Sequence, residues 1–390
     1  MAQDFLIGGV NSPIRSFAQV GGEMLNIARG RGAYVFDLQG KKYLDFAQGF
    51  GPMILGHGNY ALRRAMKMAE KRGVIFGFTN PKENLLAKKI AEAIPMIEKI
   101  RFTTSGSEAT MSAVNLAKFI TKRKKVLTFE GGYHGHALAQ TSTLATPWND
   151  LESLKKVLAE HNEEIACLIA EPILGNAGLI LPEKDFWPAV AQLLKEQKIL
   201  FIMDEVLTGF RVRFGATYEL FNIQPDLIVL GKIIGGGLPI GAFGGREELM
   251  QHIRPVGDFP HAGTFAGHPL SCSAGISTLE ILEKKFDELI QKTAWFEAEM
   301  KKILPAKGVQ FYSIGTLFGF FFSQQPVKNF KDAQKSDQEC FKQFFWHLVC
   351  RGFLLPPSPL EADFLSVAQS KKDLKRFLKA VGDFLNCLNH

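Results

Sequence analysis

Lys232 closes an apolar run, LIVLG, and opens a glycine-rich one, IIGGG. An amine at the carboxyl end of a buried strand stands where the ligands of open α/β sheets gather. Desolvation there lowers the amine pKa and frees a lone pair, as an imine-forming lysine requires. The competing reading is a lysine whose long stem carries its charge out to solvent. Asp204, followed by Glu205, ends a second apolar run, ILFIM. A strand-end carboxylate either pins a loop or pairs with a protonated ring nitrogen, the partner that lets a pyridinium cofactor withdraw electrons.

Three further groups lie at strand ends. Thr104-Ser105-Gly106-Ser107-Glu108 joins a strand to a helix with hydroxyls and a glycine. Free backbone N–H groups at such a helix start hold phosphate, although the same letters satisfy an ordinary N-cap. Glu130-Gly131-Gly132-Tyr133-His134-Gly135-His136 offers aromatic rings that could stack on a flat cofactor, or simply a tight turn. A metal site at His134 and His136 lacks a clear third ligand, so no metal is expected. Glu171-Pro172 with Gly175-Asn176 is the last polar strand-end group.

The elements that must position these groups follow from period and punctuation. Strands are expected at 99–105, 125–129, 165–172, 199–206 and 226–232, with helices at 108–125, 151–162 and 186–198 between them. Strands apolar throughout and separated by helices imply a largely parallel sheet covered on both faces, so the class is α/β. The N-terminal stretch 28–46 reads as a hairpin turning at Leu-Gln-Gly-Lys. After about 275 the pattern changes to long helices around a β-prone run at 311–323. The expected organisation is an N-terminal segment (1–55) packed with a small α+β domain (276–390), and a large α/β domain (56–275).

Composition narrows the function classes. The chain has 390 residues, 46% hydrophobic and 22% charged, as in folded globular proteins. A net charge of +7, spread along the chain, suits anionic small molecules and argues against nucleic acid. The apolar stretch 227–245 is interrupted by glycines, a proline and Lys232, so no membrane span is expected. Five cysteines without C-x-x-C spacing, and an N-terminus unlike a signal peptide, point to the cytoplasm.

The blocks TTSGSEATMSA, FEGGYHGH, EPILGN, DEVLTGFR, PDLIVLGKIIGGGLPIGAFGG and HAGTFAGHPL resemble, in order and context, the class III pyridoxal-phosphate aminotransferases. GGVNSPIRSF, GPMILGH and PPSPLEADFLS are similar to those of one branch, the glutamate-1-semialdehyde 2,1-aminomutases. The resemblance spans nearly the whole chain. It implies the fold type I architecture of pyridoxal-phosphate enzymes and a cofactor that passes through its pyridoxamine phosphate form in the mutase cycle. It implies that Lys232 is the imine-forming lysine and proton shuttle, and that Asp204 partners the ring nitrogen. Val206 would lie beneath the ring and Tyr133, with His134 beside it, above. Ser105, Gly106 and Ser107 would cradle the phosphate, and Asn176 would lie near the phenolic oxygen. Thr264 would reach the phosphate from a neighbouring subunit, which implies a homodimer with shared sites. Ser12, Arg15, Phe50 and Glu361 would line the pocket of a small amino-acid-like carboxylate substrate.

Several positions depart from the family pattern. Ser107 replaces the usual Thr, Phe50 a Trp, His268 an Asn and Gln369 a His. The connection at 137–145 is shorter than the glycine- and proline-rich lid of the aminomutases. The first expectation is therefore an aminomutase forming 5-aminolevulinate for porphyrin biosynthesis. The alternatives are a related racemase, epimerase or aminotransferase, favoured by the short connection and Phe50, and a non-catalytic scaffold, disfavoured by Lys232, Asp204 and the cradle together.

Overall fold

The computed structural model describes residues 5–136, 142–304 and 308–388. Its N-terminal part forms β1 (Ile27–Arg31), β2 (Tyr34–Asp37) and β3 (Lys42–Asp45), joined antiparallel. The Leu-Gln-Gly-Lys turn sits between β2 and β3, where the Asp37 carboxylate accepts from the backbone N–H groups of Gln39 and Lys41. Helices α1 (Tyr60–Glu70) and α2 (Pro81–Ala93) follow, the latter opened by a capping box of Asn80 and Glu83 with Pro81 at its first position.

The central sheet is built from β4 (Lys99–Thr103), β5 (Lys125–Phe129), β6 (Thr143–Thr146), β7 (Ile165–Ala170), β8 (Leu200–Asp204), β9 (Leu227–Gly231) and β10 (Gly241–Gly245). Their spatial order is β4-β10-β9-β8-β7-β5-β6, parallel except for β10, which runs antiparallel to both neighbours. Helices α3 (Gly106–Thr121), α4 (Leu151–His161), α5 (Phe186–Glu196) and α6 (Glu247–Met250) connect and cover it. One apolar cluster fills the side of α5 and another the side of α3, so β7 and β9 are buried along their whole length. This is the covered parallel sheet the sequence predicts. The antiparallel β10 is not foreseen, because glycine is depleted in strands and three of its five residues are glycine. Residues 137–141 of the short connection lie outside the described residues, and its remainder enters β6.

Helix α7 (Pro269–Ile303) runs 35 residues without a break, through position 275 where the change of pattern suggests a junction. His268 stands at its N-cap, where the ring Nδ1 accepts from the Leu270 N–H at 3.3 Å. An imidazole thus performs the capping for which Asn is usually favoured. The chain continues with β11 (Gln310–Ile314), β12 (Leu317–Phe321), α8 (Phe330–Gln334), α9 (Gln338–Cys350), β13 (Phe353–Leu354), β14 (Asp363–Phe364) and α10 (Lys371–Leu388). The single run expected at 311–323 is a hairpin, β11 against β12, with β14 added to its edge. Strand β13 pairs in parallel with β3, and Gln369 donates from Nε2 to the Asp45 carbonyl at 3.0 Å. The two ends of the chain share one aromatic-rich core that includes Phe46, Phe318, Phe344 and Phe377.

Under the sheet, Phe129, Trp148, Phe186, Trp187 and Phe201 form a continuous aromatic group, with Trp148 and Trp187 centroids 5.5 Å apart. Trp187 also donates from Nε1 to the Pro172 carbonyl at 2.8 Å, tying this core to the residue after Glu171. Trp187→Ala should lower unfolding stability by about 3–5 kcal/mol, the usual cost of a large buried aromatic, measured as a shift of the urea midpoint followed by far-UV circular dichroism.

Candidate active site

Parallel strands carry their carboxyl ends to one edge of the sheet, so residues distant in sequence meet there. Asp204 ends β8 and pairs in register with Val229 of the adjacent β9, which places Lys232 just beyond the same edge. Lys232 has a left-handed backbone (φ 48°) that turns the chain out of β9 into a 3-10 turn. Burial lowers its pKa, opposed by the carboxylates of Glu361, Glu171 and Asp204 and assisted by Arg211. Among the described residues the amine makes no hydrogen bond or ion pair.

The loop after β5 reaches across the end of β7 to β8. Tyr133 N donates to Glu171 Oε1 at 3.1 Å, and His134 Nδ1 lies 2.7 Å from Asp204 Oδ2. Thr110 on α3 donates to the His134 carbonyl at 2.6 Å, fixing the loop from above. His134 is therefore a buried partner of the acid. Asp204 also accepts from Val206 N at 3.1 Å and is only 3% exposed.

Ser105 N-caps α3 by accepting from Glu108 N at 3.2 Å. The first turn of a helix leaves backbone N–H groups without intrahelical partners, a place for an anion. The surroundings leave no room for side chains: a Cβ on Gly106 would lie 2.9 Å from Val206 Cγ1, one on Gly135 2.5 Å from Ser107 Oγ, and one on Gly241 2.1 Å from the Ser105 carbonyl oxygen. Gly241 thus lets the start of β10 run flush against the cradle.

These groups enclose a cavity of about 190 Å³ lined by Ser105, Gly106, Ser107, Tyr133, His134, Asn176, Asp204, Val206 and Lys232. Nine of the expected residues meet in it, and Tyr133 is 55% exposed at its mouth. Arg15 and Phe50 come together on the wall of a second, largely apolar cavity of about 420 Å³. Ser12 does not line it; its carbonyl accepts from Arg15 N at 3.0 Å, at the start of the turn that carries the arginine. Gly51, next to Phe50, approaches the Lys232 stem and relates the two cavities, since a Cβ on it would lie 3.2 Å from Lys232 Cδ. Glu361 acts on Lys232 from the C-terminal segment, its pKa raised by burial and lowered by that amine. Thr264 is exposed and does not line the cavity within its own chain.

Glu171, read in the sequence only as a polar strand-end group, has a larger place than that, while Arg211 escapes a reading of the sequence. Glu171 proves to be a hub, accepting also from Gly175 N (3.2 Å) and Asn176 Nδ2 (2.9 Å). Arg211 is buried beside Lys232, bonded to groups far away in the chain that no local pattern announces.

Comparison with known proteins now adds its weight. Residues 17–149 and 140–337 match the family Aminotransferase class-III. The chain belongs to that family. It is 41% identical to a glutamate-1-semialdehyde 2,1-aminomutase of Thermus thermophilus over 413 aligned positions, covering 98% of this chain and 96% of the relative. The aligned length exceeds the 390 residues of this chain by 23, and the family match comes in two segments that overlap at 140–149, beside the short connection. Among solved structures, an omega-transaminase from Sphaerobacter thermophilus superposes with a TM-score of 0.92 at 27% identity, covering 99% of this chain and 95% of that one. A glutamate-1-semialdehyde-aminomutase from Pseudomonas aeruginosa in complex with PMP shares the fold, with a TM-score of 0.86 at 23% identity over 98% and 92% of the two chains. Membership of the class-III aminotransferases implies a pyridoxal-phosphate cofactor. The donor set fits it: a helix start for phosphate, an acid pinned at the adjacent strand end, an uncommitted amine, and a buried His134 Nε2 without a partner among the described residues.

Burial raises the Glu171 pKa from 4.5 to about 7. Because the folded state prefers the protonated acid, the stability gained from it is complete below about pH 4.5 and is lost as pH rises through about 7. Glu171→Gln should therefore remove this dependence in cofactor-free protein. Between those limits, wild-type stability should fall relative to the variant, as read from urea midpoints at stepped pH.

Proposed function

We infer that the protein is a pyridoxal-phosphate-dependent glutamate-1-semialdehyde 2,1-aminomutase, which forms 5-aminolevulinate for porphyrin biosynthesis. The observation that carries this reading is full-length identity to an aminomutase together with a site that holds an amine, an acid and a helix start in one cavity. When bound, the cofactor supplies an aldehyde that condenses with amines and a ring that takes up electrons from the substrate carbon.

The chain's own groups divide the remaining work. Ser105, Gly106 and Ser107 hold the phosphate at the start of α3. Asp204, fixed by His134, would keep a proton on the ring nitrogen, and Val206 and Tyr133 would flank the ring. Asn176, anchored by Glu171, meets the phenolic oxygen. Lys232, whose pKa burial lowers, would supply the amine that links to the cofactor and the base that moves a proton between substrate carbons. Arg15 presents a planar fork to the substrate carboxylate, and Glu361 faces the amine. Within the cytoplasm two copies would pair, so that Thr264 of each completes the phosphate site of the other. The exposed side chains of Phe76, Phe78 and Phe265 support such a face.

A second reading, an aminotransferase or racemase acting on amino acids, is supported by the division of the family match into two segments beside the short connection and by Phe50. Incubating purified protein with the semialdehyde, and separately with a panel of L-amino acids in D₂O, separates the two. Rapid 5-aminolevulinate formation is expected; its absence beside deuterium uptake at Cα would overturn the mutase. In the same assay Lys232→Ala should abolish turnover and borohydride fixation while retaining non-covalently bound cofactor. Arg15→Ala should raise KM by about tenfold or more, the equivalent of one charged hydrogen bond of ~1.5–3 kcal/mol.

A further inference from the structure

Arg211 is 0% exposed, yet among the described residues no carboxylate pairs with it. Burial alone pulls its pKa down to about 9, which leaves it a cation at neutral pH. An unpaired buried charge is destabilising, so its retention calls for a compensating role. Its guanidinium donates to Thr316 Oγ1 at 3.0 Å, to the Leu365 carbonyl at 3.5 Å and to the Gly51 carbonyl, and lies 4.7 Å from the centre of the Phe364 ring. Its own carbonyl accepts from Thr316 N at 3.2 Å. Gly51 faces Lys232, since a Cβ there would meet Lys232 Cδ at 3.2 Å and Phe364 Cε1 at 3.5 Å.

The charges around Lys232 are unequal. Glu361, Glu171 and Asp204 favour an ammonium, and behind them stand Asp363, beside Glu361, and His134, beside Asp204. Arg211 is the cation that opposes them.

We propose that Arg211 is the positioning residue of the reactive amine: it clamps Gly51 from the N-terminal segment and Thr316, Phe364 and Leu365 from the C-terminal segment around the Lys232 stem, and its fixed charge keeps the amine free to attack. This rests on the reading of Lys232 as the imine-forming group. The rate at which trinitrobenzenesulfonate arylates Lys232 in the full chain stripped of cofactor, read across pH by mass spectrometry of its peptide, reports whether Nζ is protonated. Arg211→Gln should move the midpoint of that rate upward by about one pH unit, as for removal of one nearby cation. Arg211→Lys keeps the charge and should leave the midpoint in place. It should slow capture of pyridoxal phosphate several-fold, because a point charge cannot hold separate acceptors in a fixed fork.

An unmoved midpoint in Arg211→Gln overturns the electrostatic role, and a wild-type capture rate in Arg211→Lys overturns the clamp. Should Arg211→Gln not fold, Thr316→Val, with the same expected pattern as Arg211→Lys, decides the clamp, and Arg211→Met decides the charge. A lower melting temperature with both readouts unchanged reduces Arg211 to scaffold and also overturns the proposal. Failure of borohydride to fix cofactor on Lys232 of the wild type would instead defeat the reading of the site, while the arylation midpoints still judge Arg211.

Discussion

The hydrogen bond between His134 and Asp204 joins the loop after β5 to the end of β8, with β7 between them. To make it, the loop must cross the end of β7, and Glu171 receives the Tyr133 N–H on the way. Thr110 holds the same loop from α3, the helix whose start is the phosphate cradle. Thus one buried contact, 2.7 Å long, sets the height of the loop, the direction of the acid and the place of Tyr133. Replacing it with water would free the loop, and with it Tyr133, together with the Asp204 side chain, because the loop is not part of the sheet ladder that holds the Asp204 backbone. In a region of low dielectric, each polar group needs a partner of fixed geometry.

Much of this is legible in the sequence. Apolar runs ending in Asp204, Lys232 and Glu171 mark strand ends, and in parallel strands all such ends fall on one edge. The hydroxyl-glycine run from Thr104 to Ser107 marks the helix start that faces them. The sequence is less explicit where position depends on partners far along the chain. Arg211 binds the carbonyls of Gly51 and Leu365, and Arg15 and Phe50 meet over residues near 355. Their placement follows from tertiary packing, which no local period encodes.

Strand β10 illustrates the opposite failure, in which composition hides an element. Its glycines remove the side chains by which a strand is recognised, and the same loss lets the backbone of Gly241 lie against Ser105. A residue choice that is unfavourable for a strand is thereby favourable for the cradle. His268 and Gln369 make a related point. Both differ from the family pattern, and each makes a bond the fold needs, one at the start of α7 and one between Ser366 N, the Asp45 carbonyl and the amide of Gln369.

The parallel pairing of β3 with β13 has a temporal consequence. Residues Lys42–Asp45 leave the ribosome long before Phe353–Leu354 exist, so the first sheet lacks one neighbour until nearly the whole polypeptide has been made. The central layer, whose last strand ends at Gly245, has all its strands made earlier. The wall bearing Arg15 and Phe50 is then the last to be assembled, and a message truncated before codon 353 would yield a folded middle with no finished chamber for a substrate.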